Sequence, residues 1–437
     1  MGKKMTNSQI KDIQRAILPV YKEFAEVCKE NNLRYFAIGG TAIGAVRHKG
    51  FIPWDDDLDV AMPRRDYEKF CKIAKYKFQN GRFRFIDHLD NTKTSLFFGK
   101  LSDETTTDVE RLNKKNPDSW NGVFIDIFPL DGAPSNKFLY KLHTAKLRFI
   151  YYAVWSKVYA PGKKDSTFIK AFLKKMMRLA TFYTNIESLK RKFVKIASKY
   201  DFYDDSVGFL ARTWLFTSHH GMQSTVRYKK EDFAETISMP FESTTILLPK
   251  GYDSYLTSLY PNYMTLPPKH EREPSHGDGL LDLNHSYKYY IAKRNGLRVG
   301  YTAGCYDLFH IGHVNLLRRA KSACDYLIVG VNSDEAMFSY KKKYPIIPQD
   351  ERMEIIRALR CVDEVVLVTD PDKMEAYNMY KYDSIFVGDD HETEPKWIKL
   401  EESLSRKGSE VCYLEYTKHI SSTKLRNKIM QSKGLYV

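Results

Sequence analysis

The sequence predicts two folded parts in one chain: an α+β part with a small mixed sheet, then an α/β part built on a doubly wound parallel sheet. Three observations carry this. The chain has 437 residues, too many for one ordinary domain. A polar, turn-rich seam, PPKHEREPSHGDG, begins at Pro267, and a tyrosine-rich segment runs from it to Asn295-Gly296. Beyond the seam apolar strands alternate with amphipathic helices, whereas before it the order is irregular.

Before the seam, a helical pattern at about 8–30 leads to the apolar run RYFAIGG, a short helix and the strand DLDVAMP. A helix from Arg65 follows, then strands near 83–87, 95–101 and 123–128. After residue 135 the pattern is mostly helical and basic until about 200. Beyond the seam, LRVGYTA reads as a buried strand, and 326–332, 364–368, 384–388 and 410–416 read as four more. Helices lie between them and one follows the last. Ligands of such a sheet are expected at the carboxyl ends of its strands. The expected domains are 1–290, with a basic helical insert at about 136–205, and 297–437.

Composition narrows the function classes. Hydrophobic residues make up 43%, enough for real cores. The formal net charge is +15, but 141–200 alone holds 15 Lys plus Arg against Asp165 and Glu187, an excess of +13. The basic character is therefore local, which argues against nucleic acid as a partner. Two readings of the stretch stand: solvated outer helix faces, or peripheral contact with a membrane or anionic carrier. No apolar run is long enough to predict a transmembrane helix, and the first residues lack the apolar core of a secretory signal. The six cysteines form no CxxC pair and are expected to be reduced thiols in a cytoplasmic protein, at or away from the inner face of the membrane.

After the first strand beyond the seam comes a loop holding Thr302, Gly304, Asp307, His310, Gly312 and His313, and then a helix. Free backbone amides at that helix start favour phosphate. The glycine admits close approach, and the two imidazoles can donate to a triphosphate as charge builds at its α-phosphorus. Near the end, Ser421, Ser422 and Thr423 precede the last helix, as ordinary caps or as a second phosphate cradle.

These two motifs, about 110 residues apart, closely resemble the glycerol-3-phosphate cytidylyltransferase family over essentially all of 297–430. The resemblance extends to Asp334 after the second strand, to the basic loop with Lys341 and Lys343, to Arg352 opening the next helix, and to Gly388 and Asp389 after the fourth strand. It implies joining of CTP to an alcohol phosphate with release of pyrophosphate. His310 and His313 would be catalytic, and the other residues named would bind nucleotide or phosphate. Glycerol 3-phosphate is the expected alcohol phosphate, with phosphocholine and phosphoethanolamine as alternatives. The chain departs from the family at Tyr416, which stands for an arginine, and at His419, which stands for a glycine.

In the first part, Gly39-Gly40 follows an apolar run, and Asp57 and Asp59 sit seventeen and nineteen residues after Gly40. If both lie on a strand they face one side, about 6.6 Å apart along the chain. Two such carboxylates suit Mg²⁺. A third acid is needed, and Asp126 within GVFIDIFP is the candidate, because a charge among large apolar residues is costly without a role. The segments GGTAIGAVRHKGFIPWDDDLDVAMPRRDYEKF and GVFIDIFPLDGAP strongly resemble the LicD family of phosphorylcholine transferases, over roughly 30–275.

That resemblance implies a nucleotidyltransferase-like fold and transfer of a phospho-alcohol from a CDP-alcohol to a sugar hydroxyl of a glycan acceptor. Asp57, Asp59 and Asp126 would be catalytic and hold the metal, Gly39 and Gly40 would bind nucleotide, and Arg47, His48 and Lys49 would contact phosphate. The expectation is a bifunctional enzyme, with homodimerisation suggested by relatives of the second part. The alternative keeps only the cytidylyltransferase active, with the first half a glycan- or partner-binding module.

Overall fold

The computed structural model describes residues 5–79, 81–87, 89, 91–110, 113–159, 175–211, 227–274 and 279–432. The chain divides into two compact units, the first ending at Leu283 and the second beginning at Asn284.

The first unit opens with the helix Asn7–Glu30. Thr6 caps it reciprocally with Gln9, each side chain taking the other's backbone N–H. Ile10, Ile13, Ile17, Tyr21 and Phe24 recur at helical spacing and are buried. Ile13, Ile17, Tyr21 and Phe24 join one large core with the sheet residues Phe36, Val60, Leu101, Ile125 and Ile127. The sheet runs in the order Phe36–Ala37, Asp59–Pro63, Phe124–Ala133, Gly99–Asp103, Phe83–Ile86. Its middle pair, Asp59–Pro63 and Phe124–Ala133, is parallel, and the other neighbours on this path are antiparallel. The register sets Asp59 beside Asp126 and Asp126 beside Lys100, so these three side chains form one row on one face.

The long strand then leads into the helix Lys137–Val158, which packs against Ile186–Ala197 around Phe97.

The second unit is a five-stranded, all-parallel sheet. Its order is Glu364–Val368, Tyr326–Asn332, Val299–Gly304, Ser384–Gly388, Glu410–Leu414. Tyr326 and Ile328 join one core while Leu327, Val329 and Val331 join another. Alternate residues of one strand thus feed two cores, which is why the strand reads as a continuous apolar run. The chain builds outward from Val299–Gly304 to one side and then adds Ser384–Gly388 on the other, placing the switch point at the carboxyl end of Val299–Gly304. The fold is thus the α+β, then doubly wound α/β, arrangement expected.

Candidate active sites

The carboxyl ends of the parallel strands open into a cavity of about 770 Å³. Thr302, Gly304, Asp307, His310, Gly312 and His313 line it from the first loop. Lys341 and Lys343 line it from the segment after the second strand, and Ser421, Ser422 and Thr423 from the last helix start. Gly388 lines it after the fourth strand. Residues separated by more than 100 positions therefore converge here because every strand ends on the same edge.

The histidine geometry defines the tautomers. His310 caps the helix Ile311–Ser322, and its Nδ1 accepts from the Gly312 N–H at 3.1 Å. The Nδ1 of His313 accepts from the His310 N–H at 3.4 Å. Each neutral ring then carries its proton on Nε2. The rings stack with centroids 3.9 Å apart. Burial pushes the His310 imidazole below its usual pKa. Burial, with the neighbouring His310, pushes His313 down to about 4 against the opposing pull of Asp307. Both rings are thus neutral donors near pH 7, at a helix end whose dipole already disfavours cations. A Cβ at Gly312 would meet the His310 ring at 2.9 Å, so glycine is required between them. The loop is also strained, with Tyr306 and Leu308 at φ 55 and 47.

Three of the expected binding residues lie off the cavity lining and are engaged by the protein itself. Arg352 is fully buried and does not line the cavity. Its guanidinium donates to the carbonyls of Ile347, Cys305 and Asn332 and pairs with Asp334. Asp334, likewise away from the cavity, also accepts from the Gln349 N–H. Asp389 turns back to accept from the Tyr416 N–H at 2.9 Å, and Asp390 takes its place at the cavity wall. In each case backbone groups at the strand ends need partners, and these side chains supply them. Asp307 lines the cavity, but its oxygens accept from the Ile346 and Ile347 N–H groups and from Arg426. Ser421 caps Lys424, and the Ser422 hydroxyl donates to the Asp307 carbonyl.

Sequence reasoning missed Lys373, Trp397 and Arg426, all of which line the cavity. Burial lowers the pKa of Lys373. The available signal was position, because Lys373 follows shortly after the strand Glu364–Val368.

In the first unit, Gly39 (φ +54) and Gly40 open the helix Gly39–His48. A Cβ at Gly40 would lie 2.6 Å from an Asp55 carboxylate oxygen, and one at Gly39 would lie 4.0 Å from an Asp59 oxygen. The glycine turn and the acids are therefore close neighbours. The Asp59 N–H donates to Thr41 Oγ1, and the Gly39 N–H to the Tyr255 hydroxyl. Asp57 departs from expectation: the strand begins at Asp59, and Asp57 lies just before it. The first ladder bond there runs from the Asp126 N–H to the Leu58 carbonyl, leaving Asp57 outside.

Asp126 has a cationic neighbour that the sequence did not reveal. Lys100 Nζ lies 3.0 Å from its Oδ1 and 3.3 Å from Glu110 Oε1, with the lysine side chain 7% exposed. Burial alone would lower the pKa of this ammonium, but the two carboxylates override it and raise it. Among the described residues, no three acidic, thiol or imidazole groups are arranged to hold a metal ion.

Arg47, His48 and Lys49 stand at the opposite end of the helix from Gly39-Gly40, about 12–15 Å from Gly39 along its axis. Arg47 donates to the carbonyls of Tyr263 and Thr265 and to the His48 ring, and Lys49 is the left-handed cap. Cations are favoured at that C-terminal end, which is why the triplet sits there and not at the glycine turn.

Comparison with known proteins agrees with this division. Residues 32–153 match the family described as LicD/FKTN/FKRP, nucleotidyltransferase domain, and residues 301–428 match the family described as cytidylyltransferase-like. The lipopolysaccharide cholinephosphotransferase LicD of Haemophilus influenzae is 30% identical over 284 residues, covering 63% of this chain and 97% of that protein. The bifunctional protein HldE of Nitrobacter hamburgensis is 34% identical over 134 residues, 30% of this chain, and that of Caulobacter vibrioides is 39% identical over 103 residues, 23% of this chain. The chain spans about a quarter of the length of those HldE proteins, 27% and 21%.

Proposed function

The chain belongs to the LicD family, and from that premise we propose that it is a bifunctional enzyme that makes a CDP-alcohol in its second unit and spends it in its first. The observation that carries the reading is the strand-end cavity with two neutral imidazoles at a helix start. CTP would lie with its phosphates against the 310–313 turn, Lys341, Lys343 and the Ser421–Thr423 helix start. A phosphate oxygen of the alcohol phosphate attacks the α-phosphorus, the bond to the β-phosphate oxygen breaks, and pyrophosphate leaves. The Nε2–H groups of His310 and His313 stabilise the charge that develops on the phosphoryl oxygens, a type of donor worth about 10²–10³ in rate.

In the first unit a sugar hydroxyl attacks the phosphorus that bears the alcohol, and CMP leaves. Asp59 and Asp126, neighbours across the sheet, offer oxygen ligands of the kind Mg²⁺ takes, with Asp57 just before the strand and Lys100 as a built-in competitor at Asp126. The ion would neutralise the donor's diphosphate. Asp59, beside the glycine turn, is the group best placed to orient that diphosphate.

For the alcohol, the length of the likeness to a cholinephosphotransferase supports choline. So does the cavity wall formed by Tyr344, Trp397 and Tyr416 with Asp390 and Glu415, since rings and carboxylates suit a quaternary ammonium. Glycerol is the second reading, supported by the motif resemblance over 297–430. The deciding experiment incubates the full chain with each of the four nucleoside triphosphates, Mg²⁺ and phosphocholine, phosphoethanolamine or glycerol 3-phosphate. Pyrophosphate release with CTP and phosphocholine at least tenfold above every other pair is expected. Release only with another triphosphate, or none with any pair, would refute the reading.

A further inference from the structure

The helix Lys137–Val158 has an inner face that is satisfied and an outer face that is not. Leu147, Ile150, Ala153 and Val154 are buried in a cluster with Leu189 and Phe193 of the helix Ile186–Ala197. A surface helix normally turns polar groups outward opposite such a face. Here Phe138, Leu142, Phe149 and Tyr152 point out instead, between 40% and 73% exposed. At 100° per residue they fall within an arc of about 80°, over about 21 Å of helix length. Lys141 and Lys146 flank this stripe, each roughly 70° from its centre.

The charge pattern says what covers it. Lys137–Val158 contains Lys137, Lys141, Lys146, Arg148 and Lys157 and no acid. The next described segment repeats the combination: Leu179, Phe182 and Tyr183 are exposed, Lys175 and Arg178 are the charged residues, and 175–183 holds no acid. Met177 of that segment packs on the same cluster as the helix, so the two belong to one substructure. Aromatic and aliphatic groups interleaved with cations, without acids, match the boundary between acyl chains and anionic headgroups. A protein partner's surface would ordinarily ask for both signs of charge. Among the described residues no helix is long and apolar enough to cross a membrane, so the element would lie on the bilayer and not span it.

We propose that the exposed stripe of Lys137–Val158, with 175–183, docks the first unit on an anionic lipid bilayer. The inference does not rest on the transfer chemistry, but it bears on it. The strand that carries Asp126 runs to Ala133, and the helix begins at Lys137, so the docking element is directly continuous with the acidic row.

The test is sedimentation of the full chain with vesicles of phosphatidylcholine alone or mixed with phosphatidylglycerol. Binding to the mixed vesicles at least tenfold above the neutral ones, and lost in high salt, is expected. Each base at such a surface is worth about fivefold in partitioning, so K141Q/K146Q should lose about 25-fold. F138S/F149S should lose tenfold or more, since each ring loses its burial in the interface. All four positions are exposed, so melting temperature and transfer between soluble substrates should be unchanged. Absence of binding to mixed vesicles, or equal binding to neutral ones, would overturn the proposal. So would wild-type binding by F138S/F149S, which would indicate a purely electrostatic contact with an acidic polymer.

Discussion

At the carboxyl ends of the parallel sheet, anion-binding capacity comes from groups that are neutral or cationic before any ligand arrives: two imidazoles, a helix start, Lys341 and Lys343. On the mixed sheet the corresponding place is acidic, with Asp59 and Asp126 in one row and Asp55 against the glycine turn. On the proposed function, the second unit would meet phosphate directly. The first would meet it only through a cation, and Lys100 already balances part of its charge. On the proposed function, the difference teaches that two units handling one kind of nucleotide need not share an electrostatic strategy. It also makes their failures separable.

The largest separation should come from the acids. Asp59→Asn supplies no negative charge to a metal, and transfer from added CDP-alcohol should fall about 10³-fold while CTP-dependent synthesis is unchanged. Asp57→Asn should act in the same direction. Wild-type transfer in both would make the row structural, and the binding-module reading of the first unit would take its place. The converse break is His310→Ala or His313→Ala, which should lower synthesis by about 10²–10³ and leave transfer intact. Pyrophosphate release assayed beside transfer shows whether the losses are confined as stated.

A smaller effect concerns Lys100. Removing one partner of a buried ion pair commonly costs about 3–5 kcal/mol, because the remaining charge keeps its burial penalty. Lys100→Met should therefore lower unfolding free energy by about 3 kcal/mol without metal. Mg²⁺ should restore part of it, since a second cation could then serve Asp126 and Glu110. A melting curve of this variant that ignores Mg²⁺ would show that the acids do not accept the ion.

Much of this was legible from spacing alone, and the exceptions share a cause. The alternating strands and helices of the second unit and the histidine loop follow from local patterns: alternation, glycine, helix start. The partner of a long cation does not. Arg352 has the right position in a motif, but its fork is used by three carbonyls and Asp334, and Arg47 is held by the carbonyls of Tyr263 and Thr265. An arginine held within the protein must satisfy its donors, and apart from Ile347 these acceptors lie 18 to 218 residues away, where no local pattern reaches. Lys100 was invisible for the same reason, since only the sheet register brings it beside Asp126.

The finest distinction between the sites is their response to acid. His313 titrates at about 4 in the folded chain against a usual value near 6.5, chiefly because burial penalises its charged form. The unfolded chain therefore takes up this proton at higher pH than the native one. The stability that neutral His313 contributes is complete above about pH 6.5 and is lost progressively as pH falls toward 4. Lys100 behaves in the opposite sense, and its raised pKa places its loss of stability above the usual lysine range, so it adds no slope in acid. Between pH 6.5 and 4.5 the full chain should thus lose melting temperature in part through His313. His313→Asn should show a shallower decline over that interval and parallel behaviour above pH 7. Synthesis should be insensitive to this group from pH 6 to 8, because the ring stays a neutral donor throughout. Equal acid slopes for wild type and His313→Asn would mean that the ring is not held neutral by burial. The contrast between a neutral donor site and an acidic row would then lose its electrostatic basis.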